Sequence, residues 1–204
     1  MVAEIKSILR DYDEKSVSIA TICSHSALNI FKGAREEGFK TTGICVKGRE
    51  HIYKHYGLVD DFIFVDDMHD ILKNDVQEKL RTLNSIIIPH GSFNAYVDQE
   101  QMESELNIPL FGNRPLLRWE VSRSRQHEWL RKSGLHVPKI YDRIEDADGL
   151  AFIKFEGAKG GKGYFVADSK KTYEKKLKDM IKRRLITKEE SENPYIQELS
   201  LIHI

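Results

Sequence analysis

The chain has no surplus of either charge: Lys plus Arg and Asp plus Glu number 32 each. Nothing in the composition therefore draws it to nucleic acid or to an anionic membrane. No apolar stretch reaches transmembrane length. The amino-terminal "MVAEIKSILRDYDEKS" is charged and amphipathic and lacks the apolar core of a secretory signal. Cysteine is scarce. Cys23 and Cys45 each lie in an apolar, strand-like run. They read as small buried hydrophobes in a reducing compartment, not as a disulfide or a nucleophile. Internal repeats and low-complexity tracts are missing too. The expectation is a cytoplasmic globular protein with neither nucleic-acid nor membrane partners.

Several site motifs are also missing. A P-loop over Gly161-Lys162 would need glycine at 156 and Ser or Thr at 163, where Glu156 and Gly163 stand. The dinucleotide fingerprint fails because Gly161 and Gly163 are followed by Val166. No G-x-S-x-G elbow supports a hydrolase dyad around His25. His51 and His55 lack the glutamate of H-E-x-x-H and read as exposed residues. The basic run from Lys170 to Lys188 has few aromatics and reads as a solvated helical face.

What is present is regular alternation. "VSIATIC", "TTGICV", "DDFIFVDD" and "SIIIPHGS" read as strands, with a short fifth at "IPLFG". Helical stretches separate them. One spans "SHSALNIFKGAREEGF", with Ser24 and Ser26 as candidate N-caps, and another spans "MHDILKNDVQEKLRTL". Such spacing predicts βαβ units and a parallel sheet. Near residue 113 the pattern changes. A long basic helix is expected over "PLLRWEVSRSRQHEWLRKSG", then a strand at "VPKIYD". "GLAFIKF" and "YFVAD" form a β-hairpin around a glycine-rich tip, a helix follows over "KKTYEKKLKDMIKRRL", and a last strand opens at "NPYIQEL". The predicted organisation is an α/β domain over 1–113 and an α+β part over 114–204.

Three places could hold a ligand. The hairpin tip packs four glycines (157, 160, 161, 163) and two lysines (159, 162) into a few residues. Glycines let backbone N–H groups approach a polyphosphate, and the lysines add charge. A bare basic turn is the alternative, but turn chemistry alone needs fewer glycines. Lys154 interrupts an apolar strand just before the tip. Buried, it needs an anionic partner; alternation leaves its face open. The third place lies where strands end. "Cys23-Ser24-His25-Ser26" follows the first strand and "Pro89-His90-Gly91-Ser92" the fourth, where open α/β sheets bind ligands. Ordinary capping is the competing reading for either cluster alone.

A lysine-bearing strand, a glycine-rich hairpin, a helix and a strand ending at Glu198 together resemble the ATP-grasp fold behind an N-terminal Rossmann-like domain. More specifically, "PHGSF", "FGNR..LLRWE" and "GAKGGKGYF" resemble the archaeal-type formate-dependent AICAR ligases, the FAICAR synthetases of the PurP family. The likeness runs over residues 17 to 198. It implies ATP-dependent ligation of formate to the amine of AICAR through formyl phosphate, giving FAICAR, ADP and phosphate in purine biosynthesis. The implied substrates are formate, AICAR and ATP, with Mg²⁺ or Mn²⁺ on the phosphates, and a homo-oligomer is left open. The implied AICAR contacts are His25 and Ser92. The implied ATP contacts are Lys154, Gly157, Lys159, Gly160, Gly161, Lys162, Gly163, Gln197 and Glu198. No covalent catalytic residue is implied. Cys23 stands where the family usually has glycine. After "IQE" the family runs on, whereas this chain ends in "LSLIHI". The metal ligands are thus expected beyond its last residue, and turnover by this chain alone is not expected. A non-catalytic nucleotide-binding module and a ligase for a different acid and amine remain the alternatives.

Overall fold

Strands buried on both faces read as near-continuous apolar runs, and the first two strand-like runs depart from that only by Ser and Thr, whose buried hydroxyls find partners, as in the Ser18–Thr42 pair at 2.8 Å. The computed structural model describes residues 5–155 and 163–199. It divides into two units, Met1–Ser122 and Arg123–Ile204. The division falls in a break between two helices, further along than the composition change near residue 113.

In the first unit a short helix α1 (Ile5–Ile8) precedes β1 (Ser18–Ile22), α2 (Ala27–Glu36), β2 (Lys40–Val46), α3 (His51–Tyr56) and β3 (Asp61–Val65). Then come α4 (Asn74–Thr82), β4 (Ser85–Ile87), α5 (Gly91–Tyr96), α6 (Gln99–Glu105) and α7 (Arg114–Val121). The four strands form a parallel sheet in the order β3-β2-β1-β4. All five residues of β1 are buried. Two cores lie about it. Ala20 and Ile22 join Ile44, Ile63, Leu80 and Phe93 on one face. Cys23 joins Ala27, Phe31, Cys45 and Tyr53 on the other. Both cysteines are free thiols and buried, as their apolar setting in the sequence predicts. Gly43 is required there, since a Cβ would meet Cys23 Sγ at 2.8 Å and Val59 Cγ1 at 3.1 Å.

Three expectations change in detail. "IPLFG" forms only a single parallel bridge, Ile87 to Leu110, instead of a strand. Two prolines explain this: with Ile87 bonded to Pro109 O and Phe111 N–H, the neighbouring pairs would need N–H donors at Pro109 and Pro89, and proline has none. Gly112 then turns the chain at φ +105, open to glycine at little cost. The helix expected from residue 68 begins as a 3-10 turn, Met68–Leu72, capped by Asp67, and the α-helix starts only after extended Lys73. The long basic helix is two helices, because Ser122 has the extended backbone φ −94, ψ 119.

The second unit holds α8 (Arg123–Lys132), β5 (Ile140–Tyr141), β6 (Ala151–Lys154), β7 (Tyr164–Ala167), α9 (Lys170–Lys182), α10 (Lys188–Glu192) and β8 (Tyr195–Glu198). Its antiparallel sheet runs β5-β8-β6-β7. The expected hairpin is β6–β7, and Phe155 N–H to Gly163 O (3.2 Å) carries the ladder one step beyond the strands. One face of this sheet is core: Ile153, Phe155, Phe165, Ala167 and Ile196 pack with Met180 of α9. The other face carries Phe152, Lys154, Tyr195 and Gln197. Among the described residues no helix is long and apolar enough to cross a membrane.

Candidate functional site

Strand order makes the first site. The chain lays β2 and β3 to one side of β1 and then returns to add β4 on the other. The order reverses between β1 and β4, so a crevice opens beyond their carboxyl ends. The two polar clusters of the sequence both lie there. Thr21 Oγ1 donates to Ile88 O (2.8 Å), fastening the strand ends together. Just beyond, Ser92 Oγ donates to Ser24 Oγ at 3.0 Å, joining the two loops directly. The Tyr53 hydroxyl holds Ser24 O at 3.3 Å. Ser92 is buried and His25 is exposed. Ser26 occupies the N-cap position of α2 without a side-chain cap bond. Its hydroxyl lies 3.2 Å from His25 Nδ1 instead. Ser24 is not a cap either, since α2 begins at Ala27 with Ser26 in the N-cap position.

His90 was legible only as part of a cluster, yet it makes two of the tightest demands here. Its Nε2 lies 3.1 Å from Ile22 O, and its Nδ1 accepts the Ser92 N–H at 3.3 Å. A carbonyl can only accept, so Nε2 must carry the proton. A backbone N–H can only donate, so Nδ1 must be bare. Burial, reinforced by nearby His25, holds its pKa below the ordinary histidine value. The ring is neutral and in one tautomer. Phe93 packs edge-on against it at 5.7 Å.

The second site lies in the other unit, on the sheet face away from the core. Lys154 is half-buried, pairs across the sheet with Tyr195, and donates to Gln197 Oε1 at 2.6 Å. Its Nζ also sits 4.9 Å from the Phe152 ring centroid. Burial, and then the charge of Arg123, lower its pKa from the ordinary lysine value. The ammonium is held by one neutral amide and a ring and forms no ion pair among the described residues, and its cleft of about 100 Å³ is lined by Arg123, His127, Tyr195 and Gln197. Such a cleft can receive anionic oxygen. Gly163 lies at the base of the hairpin, and Gly157, Lys159, Gly160, Gly161 and Lys162 fall outside the described residues. One Glu198 carboxylate oxygen accepts the Lys139 N–H at 3.0 Å. Arg123 and Tyr195 escaped sequence reasoning, because neither belongs to a motif and only the fold brings them beside Lys154. His51 and His55 are exposed on α3, as expected.

A parallel sheet with a switch-point crevice, followed by an antiparallel sheet carrying a lysine beside a glycine hairpin, defines an α/β protein of the ATP-grasp class. The N5-carboxyaminoimidazole synthetase of Staphylococcus aureus has this fold at TM-score 0.61 and 15% identity, over 90% of this chain and 47% of that one. The chain belongs to the family described as "Protein of unknown function (DUF1246)", whose model matches residues 19–141. It is 48% identical over 198 residues to a 5-formaminoimidazole-4-carboxamide-1-(beta)-D-ribofuranosyl 5'-monophosphate synthetase of Archaeoglobus fulgidus, covering 97% of this chain and 54% of that protein. A protein of the same name from Methanocaldococcus jannaschii is 47% identical over 195 residues, covering 96% of this chain and 54% of that one. Among solved structures, an IMP biosynthesis protein PurP from Thermococcus kodakaraensis matches at TM-score 0.56 and 33% identity, over 74% of this chain and 50% of that one. The chain spans about half the length of the curated relatives it matches.

Proposed function

We propose that this chain is part of an ATP-dependent ligase that joins formate to the 5-amino group of AICAR, a ribonucleotide monophosphate, to give FAICAR. The observation that carries the reading is 48% identity, across 97% of the chain, to a protein named for making this nucleotide. The two sites divide the work. At the switch point, His25 and Ser92 contact the ribonucleotide, with Ser24 holding the Ser92 hydroxyl. In the second unit, Lys154, Gln197, Glu198 and the glycine hairpin (Gly157, Lys159, Gly160, Gly161, Lys162, Gly163) hold ATP. The hydrogen bond from Lys154 to Gln197 aims the ammonium, and half-burial leaves it short of an anionic partner that the phosphates supply.

Formate is a poor acyl donor while its leaving group is oxide. One formate oxygen takes the γ-phosphoryl group and ADP leaves. The amine then attacks the formyl carbon, phosphate leaves with the C–O electron pair, and the amine gives up a proton. Positioning and charge neutralisation drive both steps, and no covalent enzyme nucleophile is required. Mg²⁺ or Mn²⁺ bound with the ATP supplies further neutralisation. We assign it no ligand here, because no group of three or more His, Cys, Asp or Glu that could hold a metal lies together among the described residues.

The test is direct. The full-length protein, given ATP, formate and AICAR, should form FAICAR and ADP in equal amounts by chromatography. A second reading is a ligase of the same fold for another acid and amine, since the fold is shared with a solved N5-carboxyaminoimidazole synthetase at 15% identity. ADP release only with other substrate pairs would select it over the first.

A further inference from the structure

The Ser24–Ser92 hydroxyl pair spans two loops that no strand pairing joins, so something must set their spacing. Beside the Thr21 bond to Ile88 O at the strand ends, one side chain bridges the loops themselves from beneath. His90 donates from Nε2 to Ile22 O, at the end of β1 (3.1 Å), while its Nδ1 receives the Ser92 N–H (3.3 Å). Ser24 N–H donates to the same Ile22 O at 2.9 Å. One carbonyl therefore collects both loops, and the imidazole is a rigid strut of fixed length between it and Ser92. We propose that His90 is a positioning residue: through its tie to Ile22 it sets the Ser24–Ser92 pair, and with it the grip on the ribonucleotide, without touching the ligand. The inference rests on the switch-point crevice being the nucleotide site.

The two ring nitrogens can be tested separately. A glutamine amide nitrogen stands about where Nε2 does, so His90→Gln keeps the donor to Ile22 and loses the acceptor. An asparagine oxygen stands about where Nδ1 does, so His90→Asn keeps the acceptor at an N-cap position and loses the donor. A residue that merely caps α5 would tolerate Asn better than Gln. A strut between the loops demands the reverse.

The experiment measures AICAR and ATP dissociation constants by titration calorimetry on the full-length protein and on His90→Gln, His90→Asn and His90→Ala. AICAR binding is expected to weaken by roughly tenfold or more in the Asn and Ala variants and to stay within about threefold of wild type in Gln, with ATP binding unchanged in all three. Nitrogen-15 spectra of the wild-type ring should report a protonated Nε2 and a bare Nδ1. Should the Ala variant fail to fold, the Gln–Asn order decides. Equal AICAR affinity in all variants, or Asn outperforming Gln, overturns the proposal. Wild-type protein that binds no AICAR overturns the functional reading instead, and the strut's role falls with it.

Discussion

At the level of single residues, the two sites should respond independently. His25→Ala and Ser92→Ala should each weaken AICAR binding by about 1.5–3 kcal/mol, the value of a hydrogen bond to a charged group. ATP affinity should not change, and calorimetry on the full-length protein checks both. Lys154→Ala should do the opposite, depressing ATP binding while leaving AICAR binding and the melting temperature close to wild type. A loss of AICAR binding in that variant would count against the division of labour. His90 adds a pH dependence. Burial lowers its pKa in the folded state, from 6.5. Between the folded value and 6.5 the unfolded chain holds the extra proton, so stability rises with pH across that window. The contribution is whole above 6.5 and erodes as pH falls toward the folded value. Urea midpoints measured from pH 7.5 down to about 5.5 should fall, and less steeply in His90→Gln. Parallel slopes would remove His90 as the cause. Serines, histidine and lysine were legible in the sequence because chemistry marks them. Their partners were not: the Ser24–Ser92 contact joins residues 68 apart, and the Lys154–Gln197 contact joins residues 43 apart.

At the level of elements, local pattern was sufficient where burial dictates sequence. β1, β3 and β4 fall inside the strand-like runs, β2 overhangs its run only by Lys40, and the β6–β7 hairpin follows from two aromatic runs around glycines. Pattern failed where a tertiary contact or one backbone residue decides. Pro89 and Pro109 withhold the N–H groups that would have extended the strand at residue 110, Arg114 holds the Leu106 and Ile108 carbonyls beside it, and Ser122 breaks a stretch whose composition is helical throughout. Arg114→Leu should strand those two carbonyls and cost about 2–3 kcal/mol of urea stability. An unchanged midpoint would mean that water satisfies them. Between β1 and β2 the packing leaves no slack. Gly43→Ala forces a methyl to within 2.8 Å of Cys23 Sγ and should cost about 1–3 kcal/mol. Adding Cys23→Ala removes the nearest obstacle and should recover part of the loss; no recovery would point to Val59 as the true obstruction.

At the level of the whole molecule, each hydrophobic core among the described residues is drawn from one unit alone: two in Met1–Ser122, one in Arg123–Ile204. The segment 1–122 produced by itself should therefore fold cooperatively and keep its AICAR affinity while binding no ATP. A broad, non-cooperative melt would show that the first unit depends on the second. The sequence holds only two cysteines, Cys23 and Cys45, and both are buried in the first unit's core. A disulfide reagent attacks thiolate, and burial pushes the Cys23 thiol well above its ordinary pKa. Neither sulfur is open to the reagent until the core they share with Ala27, Phe31 and Tyr53 opens. The pair thus works as a natural stopwatch for the first unit: the colour released by an aromatic disulfide counts its openings and is blind to every event beyond Ser122. Because Cys23 adjoins Ser24, a ribonucleotide seated in the crevice should slow that stopwatch, giving a binding assay that needs no turnover, no label and no engineered probe.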